Sequence, residues 1–471
     1  MRGVVETVRL TTTGEASARE VLEESIARID ELNPRLNAFT RILAEEARAE
    51  ADERDAALAR GEAPGPLHGV PVAIKEEIDV AGCVTTYGGR ANTTPAAADS
   101  EVVRRLRAAG AVVVGKTAMP EFGSFPFTES EHTGYTLNPW DESRSPGGSS
   151  GGTAVAVATG MVPVGLGGDA GGSIRVPSAF TGVYGLKPQR GRVTTAPQPH
   201  LWWALGVVGP LARSVADSAL VYDVVRGNLP TDLYRAGGDA SFASAAAREP
   251  GRLRVGWSLK VPSAGVRLDP VHAQAVRDTA ALLTELGHDV AEVDVRYPDP
   301  TAAFVPQFLA GVRTEADQVD HFDRLERRTR ETYRLGSWVT PRVRDAALRQ
   351  TEAYSRRLNR VFEDVDVLLT PVTAHRPPKL GIVMGKGTVR SSLASLPTVT
   401  YMVPWNLAGN PAASVPTGIG ADGLPVAVQL VGRTDDEPTV LSLSAQLERA
   451  RPFPRWAGPA HGSPGATSPV S

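Results

Sequence analysis

Residues 145–187 read SPGGSSGGTAVAVATGMVPVGLGGDAGGSIRVPSAFTGVYGLK, and this stretch decides the fold. It consists mainly of glycine, serine and small apolar residues, and it carries Ser149 and Ser173 on two separate glycine-rich turns. Glycine lets backbone N–H groups approach a bound atom closely, and consecutive N–H groups in one concavity bind an anion. The apolar run 154–166 joins the turns, so we expect both to be held against a core, unlike a polar linker. The two serines are therefore candidates for acyl transfer.

The segments around this stretch alternate between helical patterns and short strands. Helical patterns cover residues 17–33, 43–60, 101–109, 270–286 and 302–362. Short β-branched strand patterns cover residues 69–75, 111–114, 253–256 and 290–295. The first helix is expected to begin at a capping box and to end before Pro34. This alternation predicts an α/β fold with a sheet covered on both faces.

Composition is that of a soluble globular protein. The chain has 471 residues, of which 42% are hydrophobic and 22% are charged. A formal charge of −3 argues against non-specific binding to nucleic acid. The single cysteine, Cys83, excludes an intrachain disulfide and a thiolate metal cluster within one chain. Residues 1–6 lack the apolar segment of a secretory signal and no apolar run reaches membrane-spanning length, so we expect a cytoplasmic protein without a membrane partner.

Two local motifs match known signatures without the sequence context that those signatures need. Residues 110–117 match the GxxxxGK[ST] phosphate loop, but their variable positions form a predicted strand, so nucleotide binding is disfavoured. Residues 148–152 match GxSxG, the nucleophile elbow that would make Ser150 the nucleophile, but no strongly apolar strand precedes them. His375 is the best-placed histidine for that alternative, a Ser–His hydrolase, which stays open.

A lysine can replace histidine as the base that activates a serine. Burial must then lower its pKa enough to leave the amine neutral. Lys75 ends the apolar stretch 70–74 and is the natural candidate, buried away from a paired carboxylate. The competing interpretation is an ion pair with Glu76 or Glu77. Two other lysines compete for the role of base: Lys116 and Lys187.

Six short motifs follow one another along the chain. They are HGVPVAIK (68–75), VGKT (114–117), SPGGSSGG (145–152), GDAGGSIR (168–175), GLKP (185–188) and DGLP (422–425). In this order they resemble the amidase signature family over about residues 13–450. The resemblance implies one large α/β domain whose central mixed sheet is covered by helices on both faces.

The resemblance also suggests a domain organisation. The implied parts are an N-terminal extension 1–12 and a domain 13–452, with a core signature 145–190 and a cap-like helical region at about 302–362. Residues 453–471 are rich in proline, glycine and serine, and we expect them to form a disordered tail.

The same resemblance assigns roles to residues of the two turns. It makes Lys75 the base, Ser149 a bridging serine that usually follows a cis peptide bond, and Ser173 the nucleophile of an amidase acting on linear amide bonds. The implied oxyanion-hole amides are those of Ala170, Gly171, Gly172 and Ser173. The implied supporting residues are Ser150, Asp169 and Arg175. Many members have Thr or Ile where this chain has Ala170, which leaves the amide in place. No metal and no cofactor are expected.

Two stretches bear on the substrate. The family includes free-standing amidases and the A subunit of glutamyl-tRNA amidotransferase, which usually carries an acidic residue after Gly-Arg-Val. Here that neighbourhood lacks the acidic residue and holds two tryptophans, for which a purely core role is the competing interpretation. The predicted pocket residues are Gly123, Ser124, Phe125, Trp202 and Trp203. Their aromatic character favours a free-standing amidase for a small apolar or aromatic amide. The A subunit stays the alternative, and a homodimer is left open.

Overall fold

Eleven strands form one mixed β-sheet in the computed structural model, which describes residues 2–458. Its strands, in chain order, are β1 (Phe39–Ile42), β2 (Pro71–Lys75), β3 (Val112–Thr117), β6 (Val164–Asp169), β7 (Tyr184–Lys187), β8 (Val207–Ala212), β9 (Arg254–Trp257), β10 (Asp289–Glu292), β11 (Val367–Pro371), β12 (Ala412–Ile419) and β13 (Pro425–Gly432). A separate ribbon pairs β4 (Glu129–Ser130) with β5 (Gly134–Tyr135). The order across the large sheet is β1-β3-β2-β6-β8-β7-β12-β13-β11-β9-β10. The predicted mixed sheet is confirmed.

Helices cover both faces of this sheet. They are α1 (Val4–Thr13), α2 (Ala18–Leu36), α3 (Ala44–Ala59), α4 (Glu101–Ala108), α5 (Gly151–Ala158), α6 (Arg175–Thr181), α7 (Val215–Val225), α8 (Phe242–Ala247), α9 (Pro270–Glu285), α10 (Thr301–Ala316), α11 (Arg327–Leu335), α12 (Pro341–Leu358), α13 (Thr388–Val399), α14 (Val403–Ala408) and α15 (Glu437–Ala450). Alternate residues of one strand enter different cores: Val72 and Ile74 pack in one apolar cluster and Ala73 in another. None of these helices is long and apolar enough to cross a membrane.

The predicted end of the first helix and the predicted start of the disordered tail both differ from the structure. The capping box at Ser17 is present, but α2 runs past Pro34 to Leu36. Leu36 is fully buried, and a proline so near the end of a helix removes only one of its last hydrogen bonds. Residues 453–456, predicted as the start of a disordered tail, are packed: Phe453 stacks on Tyr184 and Trp456 is buried. Residues 459–471 of that predicted tail lie outside the described residues.

Parallel strands bring Lys75 and the glycine-rich turn of Ser173 to one edge of the sheet. Strand β2 pairs in parallel with β6, with Ile74 opposite Leu166. Lys75 and Asp169 are the last residues of these two strands. The carboxyl ends of neighbouring parallel strands form a common crevice, which is where α/β proteins bind ligands. Ser149 enters the same crevice from the turn before α5.

Candidate active site

Lys75 and Ser149 are in direct contact at this edge. The Nζ atom of Lys75 lies 2.7 Å from Oγ of Ser149, and both side chains are buried. The peptide bond between Gly148 and Ser149 is cis. Burial lowers the pKa of Lys75, and the carboxylates of Glu77 and Asp169 act in the opposite direction. A buried amine with a lowered pKa can accept the proton of a hydroxyl that it touches.

Lys75 also has a carboxylate neighbour, contrary to the expectation that none would be paired with it. Oε1 of Glu77 lies 3.0 Å from Nζ of Lys75. Glu76 does not share this role, because its carboxylate accepts hydrogen bonds from the hydroxyls of Thr40 and Thr86. The base and ion-pair interpretations of Lys75 therefore describe one arrangement, in which the amine lies between a serine and a carboxylate.

Asp169 organises the second turn from inside the core. Its carboxylate and the guanidinium of Arg175 form a fully buried ion pair, with Nε 2.9 Å from Oδ2. Burial opposes ionisation of Asp169, but the charge and hydrogen bonds of Arg175, with a hydrogen bond from Asn406, keep the pKa of this carboxyl below its usual value. Nδ2 of Asn406 donates to Oδ1 of Asp169 at 2.8 Å. Gln429 of β13 accepts from Arg175 at 2.8 Å, which ties the turn to the middle of the sheet.

The carboxylate of Asp169 also accepts a hydrogen bond from one of the four amides predicted for the oxyanion hole. The N–H of Gly172 donates to Oδ1 of Asp169 at 2.8 Å. Gly172 has φ +111, and a Cβ there would lie 2.5 Å from Cγ of Met402, so only glycine fits the position. Within residues 2–458, the amides of Ala170, Gly171 and Ser173 have no protein acceptor. The geometry therefore leaves these three amides available to an oxyanion and withdraws Gly172.

Ser173 lies where a small recess opens into a large cavity. The recess is lined by Lys75, Ser149, Ser173 and Trp202 among others. Gly123, Ala170, Ser173 and Trp202 also line a neighbouring cavity of about 570 Å³. The exposed fraction of Ser173 is 9%, so access to it from solvent is narrow. A ligand filling the cavity would place one end against Ser173.

The amidase family model matches residues 20–441 of this chain. The chain belongs to the amidase family. AmiB2 of Mycobacterium tuberculosis, named as an amidase without a stated substrate, is 47% identical over 96% of each chain. The solved structure of 6-aminohexanoate cyclic dimer hydrolase complexed with substrate is similar with a TM-score of 0.89 and 34% identity, covering 96% of this chain and 97% of that one. A bacterial aryl acylamidase of the amidase signature enzymes gives a TM-score of 0.86 and 27% identity over 96% of each chain.

Membership of this family makes the chain an enzyme that hydrolyses amide bonds.

Four of the five predicted pocket residues line the cavity beside Ser173. They are Gly123, Ser124, Phe125 and Trp202. The fifth, Trp203, lies outside the cavity wall. Its indole stacks on His200 at 4.1 Å between ring centroids and carries the guanidinium of Arg344 at 4.2 Å. Trp202 and Trp203 both have positive φ, a conformation that no sequence pattern of non-glycine residues signals.

The competing lysines are held elsewhere. Nζ of Lys116 donates to the carbonyl of Ile78 at 2.6 Å, and Nζ of Lys187 donates to the carbonyl of Pro188 at 2.8 Å. Lys116 lies on β3, so the phosphate-loop match is a strand in the structure. Neither lysine lines the recess that holds Ser149 and Ser173.

In the Ser–His alternative, Ser150 and His375 would have to contact each other, but each is bonded to other partners. Ser150 is fully buried, and its hydroxyl donates to the carbonyl of Gly168 at 3.2 Å. His375 bonds through one ring nitrogen to the carbonyl of Arg376 and through the other to the hydroxyl of Thr398. The amide N–H of Ser150 donates to the carbonyl of Ser173 at 3.3 Å. Ser150 therefore holds the two glycine-rich turns together through its hydrogen bonds.

Sequence reasoning missed the residues that reach the site from distant elements. Asn406 belongs to α14 and Gln429 to β13, and neither has a local motif that points to Asp169. The cavity wall contributed by α10 was missed for the same reason: Phe304 and Phe308 fit an ordinary amphipathic helix. The carboxylate of Glu77 was considered only as an alternative partner for Lys75.

Proposed function

We propose that this enzyme hydrolyses a neutral, apolar amide through an acyl-enzyme on Ser173, with Lys75 as base and Ser149 as proton relay. The observation that carries the proposal is the contact of Lys75 with Ser149 in a recess that opens, at Ser173, into the large cavity. The family membership supports the amide as the bond that is cleaved.

The first half of the reaction forms an ester. Ser149 passes a proton to the neutral amine of Lys75 and takes the proton of Ser173, whose Oγ attacks the amide carbonyl carbon. Negative charge develops on the carbonyl oxygen, and the free amides of residues 170, 171 and 173 are suited to receive it. The proton then returns through Ser149 to the amide nitrogen, the C–N bond breaks, and the amine leaves.

The second half regenerates the enzyme. A water molecule gives a proton to the same relay and attacks the ester carbon. The tetrahedral intermediate collapses, the ester C–O bond breaks, and Ser173 recovers its proton while the carboxylate departs. Both halves use the same side chains, so the site has no need of a second base.

The character of the cavity supports a neutral substrate. The residues that line it include Phe125, Phe304, Phe308 and Leu309, and no Asp, Glu, Lys, Arg or His side chain of residues 2–458 is among them. Burying an unpaired charge against such a wall is costly. Glutamine carries an ammonium and a carboxylate beside its amide, so the cavity argues against glutaminase activity and for a free-standing amidase.

Replacement of Ser173 tests the proposal. Ser173→Ala should lower kcat for an aryl or alkyl amide by roughly three orders of magnitude or more, as removal of other serine nucleophiles does. A fluorophosphonate probe should add to Ser173 in the native enzyme. Ser218→Ala removes a buried hydroxyl of α7 that does not line the recess and should keep normal turnover. An adduct on Ser150, or full activity of Ser173→Ala, would overturn the assignment.

A further inference from the structure

Exposed apolar side chains are concentrated at the mouth of the large cavity. Twelve large apolar side chains are exposed in residues 2–458, and six of them line this cavity. These six, here called the rim, are Val305, Leu335, Trp338, Val389, Leu393 and Leu396. Their exposed fractions run from 36% for Leu396 to 69% for Leu393. Single exposed apolar residues are ordinary on a protein surface, but a cluster of them marks a contact surface.

Helix α13, which carries three of the rim residues, turns its polar side toward the protein. Val389, Leu393 and Leu396 are exposed. The buried residues of the helix all carry hydroxyl groups: Thr388, Ser391, Ser395 and Thr398. A surface helix ordinarily turns its apolar stripe to the core and its polar side to water. The outer side of α13 is therefore matched to apolar surroundings outside the protein.

Charged residues around the rim give this face an excess of positive charge. Within four positions of a rim residue, the chain carries four exposed cations: Arg334, Arg342, Lys386 and Arg390. The acid in the same range, Glu331, pairs with Arg327 at 2.7 Å, and none of the four cations belongs to an ion pair within residues 2–458. Asp299, beside Pro300 of the cavity wall, is one further exposed acid. Positive charge therefore remains in excess at the mouth.

An apolar centre surrounded by cations is complementary to an anionic lipid surface. Apolar side chains enter the boundary between headgroups and acyl chains, and cations meet the lipid phosphates. Tryptophan, present in the rim as Trp338, is enriched at such boundaries. A second copy of the chain is disfavoured as the occupant, because a two-fold axis through this face would bring its cations together.

We propose that the rim docks on an anionic lipid surface and that the cavity receives its apolar amide from the lipid. The rim lines the same cavity that reaches Ser173 at its inner end, so the amide would meet apolar side chains along its path. The substrate class is then an amide whose apolar body partitions into lipid. Docking rests on the exposed residues alone, whereas delivery of the amide rests on the proposed function.

A docking surface of this kind leaves no long apolar run in the sequence, which is why no membrane partner was expected. The rim residues come from three separate stretches, at 305, 335–338 and 389–396. Polar residues and glycine interrupt the apolar residues within the last two stretches. Folding brings the three stretches to one mouth.

Sedimentation with vesicles tests the docking. The intact enzyme should sediment with unilamellar vesicles made of equal parts of phosphatidylglycerol and phosphatidylcholine. Its partition into vesicles of phosphatidylcholine alone should be about 10-fold weaker or more, because the cations lose their partners. Added salt should weaken binding to the mixed vesicles, since exposed charges are screened. Val389→Ser with Leu393→Ser should lower partition into the mixed vesicles by roughly 10-fold, because two apolar side chains no longer enter the lipid.

Leu233→Ser with Ile419→Ser is the matched control. These two side chains are 50% and 45% exposed but do not line the cavity, so this variant should bind the mixed vesicles like the native enzyme. Native enzyme that binds neither kind of vesicle, or a Val389→Ser/Leu393→Ser variant that binds like the native enzyme, would overturn the docking. A native dimer that the latter variant splits into monomers, with no vesicle binding by either form, would overturn it as well.

Turnover tests the origin of the substrate. A long-chain amide dissolved in the anionic vesicles should be cleaved with a kcat/KM roughly 10-fold above that in neutral vesicles. Arg342→Gln with Arg390→Gln removes two cations that do not line the cavity, and it should bring this ratio close to one. A ratio near one for the native enzyme, or an unchanged ratio for the variant, contradicts delivery from lipid. No cleavage in any medium, with no fluorophosphonate adduct on Ser173, contradicts the proposed function instead, and sedimentation still decides the docking.

Discussion

At the scale of single residues, the amine of Lys75 experiences two opposing influences. Burial disfavours its charged form and lowers its pKa, whereas the carboxylate of Glu77, 3.0 Å away, favours the charged form. Burial prevails, so the neutral form is present at a lower pH than in a free lysine. A base must be neutral to accept a proton, and activity should therefore rise with pH through the deprotonation of Lys75.

Removal of the neighbouring charge should move this pH dependence. Glu77→Gln deletes the carboxylate that favours the ammonium form, so it should lower the pKa of Lys75 further. The acidic limb of kcat/KM against pH should shift to lower pH, and activity on that limb should increase. Glu76→Gln is the control, because the Glu76 carboxylate bonds to Thr40 and Thr86 instead, and it should leave the limb in place.

Two variants of Lys75 complete this test. Lys75→Ala should reduce the rate by roughly 10²–10⁴-fold and flatten the acidic limb, since the base is gone. Lys75→Arg should not restore activity, because arginine stays charged at any relevant pH. Near-normal turnover of Lys75→Arg, or a shift of the Glu77→Gln limb to higher pH, would show that Lys75 is a positive charge in the site and not the base.

Single residues also show how far the sequence could predict the site. Lys75, Ser149 and Ser173 could be placed together because each ends a strand or lies on a glycine-rich turn of one motif series. Trp202 was predicted to line the substrate pocket, and it lines the cavity. Trp203 was predicted to do the same and does not, because nothing in the sequence distinguishes the two adjacent tryptophans. Adjacent side chains can point to different sides of a turn, and only the backbone conformation decides which one meets the substrate.

At the scale of elements, the turn between β6 and α6 depends on a buried charge. Asp169 accepts hydrogen bonds from the backbone of Gly172 and Ile174, and its ion pair with Arg175 is fully buried. Such a pair fixes backbone geometry at the cost of desolvation, and loss of one partner leaves an uncompensated charge. The resemblance implied a supporting role for both residues, but it could not reveal that Asp169 accepts a hydrogen bond from the amide of Gly172, one of the four amides predicted for the oxyanion hole.

Asp169→Ala should therefore destabilise the whole fold. We expect the free energy of unfolding to fall by roughly 3–5 kcal/mol, because Arg175 would remain charged and unpaired in the core. Urea denaturation followed by circular dichroism measures the change. Asp294→Ala, which breaks the solvent-exposed pair with Lys260, is the control and should leave the free energy of unfolding nearly unchanged. Equal costs for the two variants would mean that the buried pair does not stabilise the turn.

At the scale of the whole molecule, strands of the sheet position residues of the candidate active site, and helices that follow residue 300 form much of the cavity wall. Lys75 and Asp169 end strands β2 and β6, while α10, α12 and α13 contribute much of the cavity wall. The α/β architecture could be predicted from alternating patterns because local periodicity determines the elements. The cavity could not, since it arises from contacts between helices that are far apart in the sequence. Its mouth is also apolar, with Leu335, Trp338 and Leu393 exposed.

The apolar cavity wall predicts which ligands should stabilise the intact protein against unfolding. A ligand that binds only the folded state adds RT ln(1 + [L]/Kd), about 2.7 kcal/mol at 100 times Kd. In the inactive variant Ser173→Ala, a neutral apolar amide should raise the melting temperature in a concentration-dependent way. An analogue with a terminal carboxylate should raise it much less, because residues 2–458 place no cationic side chain on the cavity wall.

A charge added at the mouth provides the matched variant for this measurement. Leu393 is 69% exposed, so Leu393→Arg in the Ser173→Ala background adds a cation with little cost to folding. It should strengthen binding of the carboxylate analogue and leave binding of the neutral amide nearly unchanged, which scanning fluorimetry can follow at matched ligand concentrations. If the carboxylate analogue stabilises the Ser173→Ala protein as much as the neutral amide does, the apolar cavity does not select the substrate by charge, and the proposed substrate class must be abandoned.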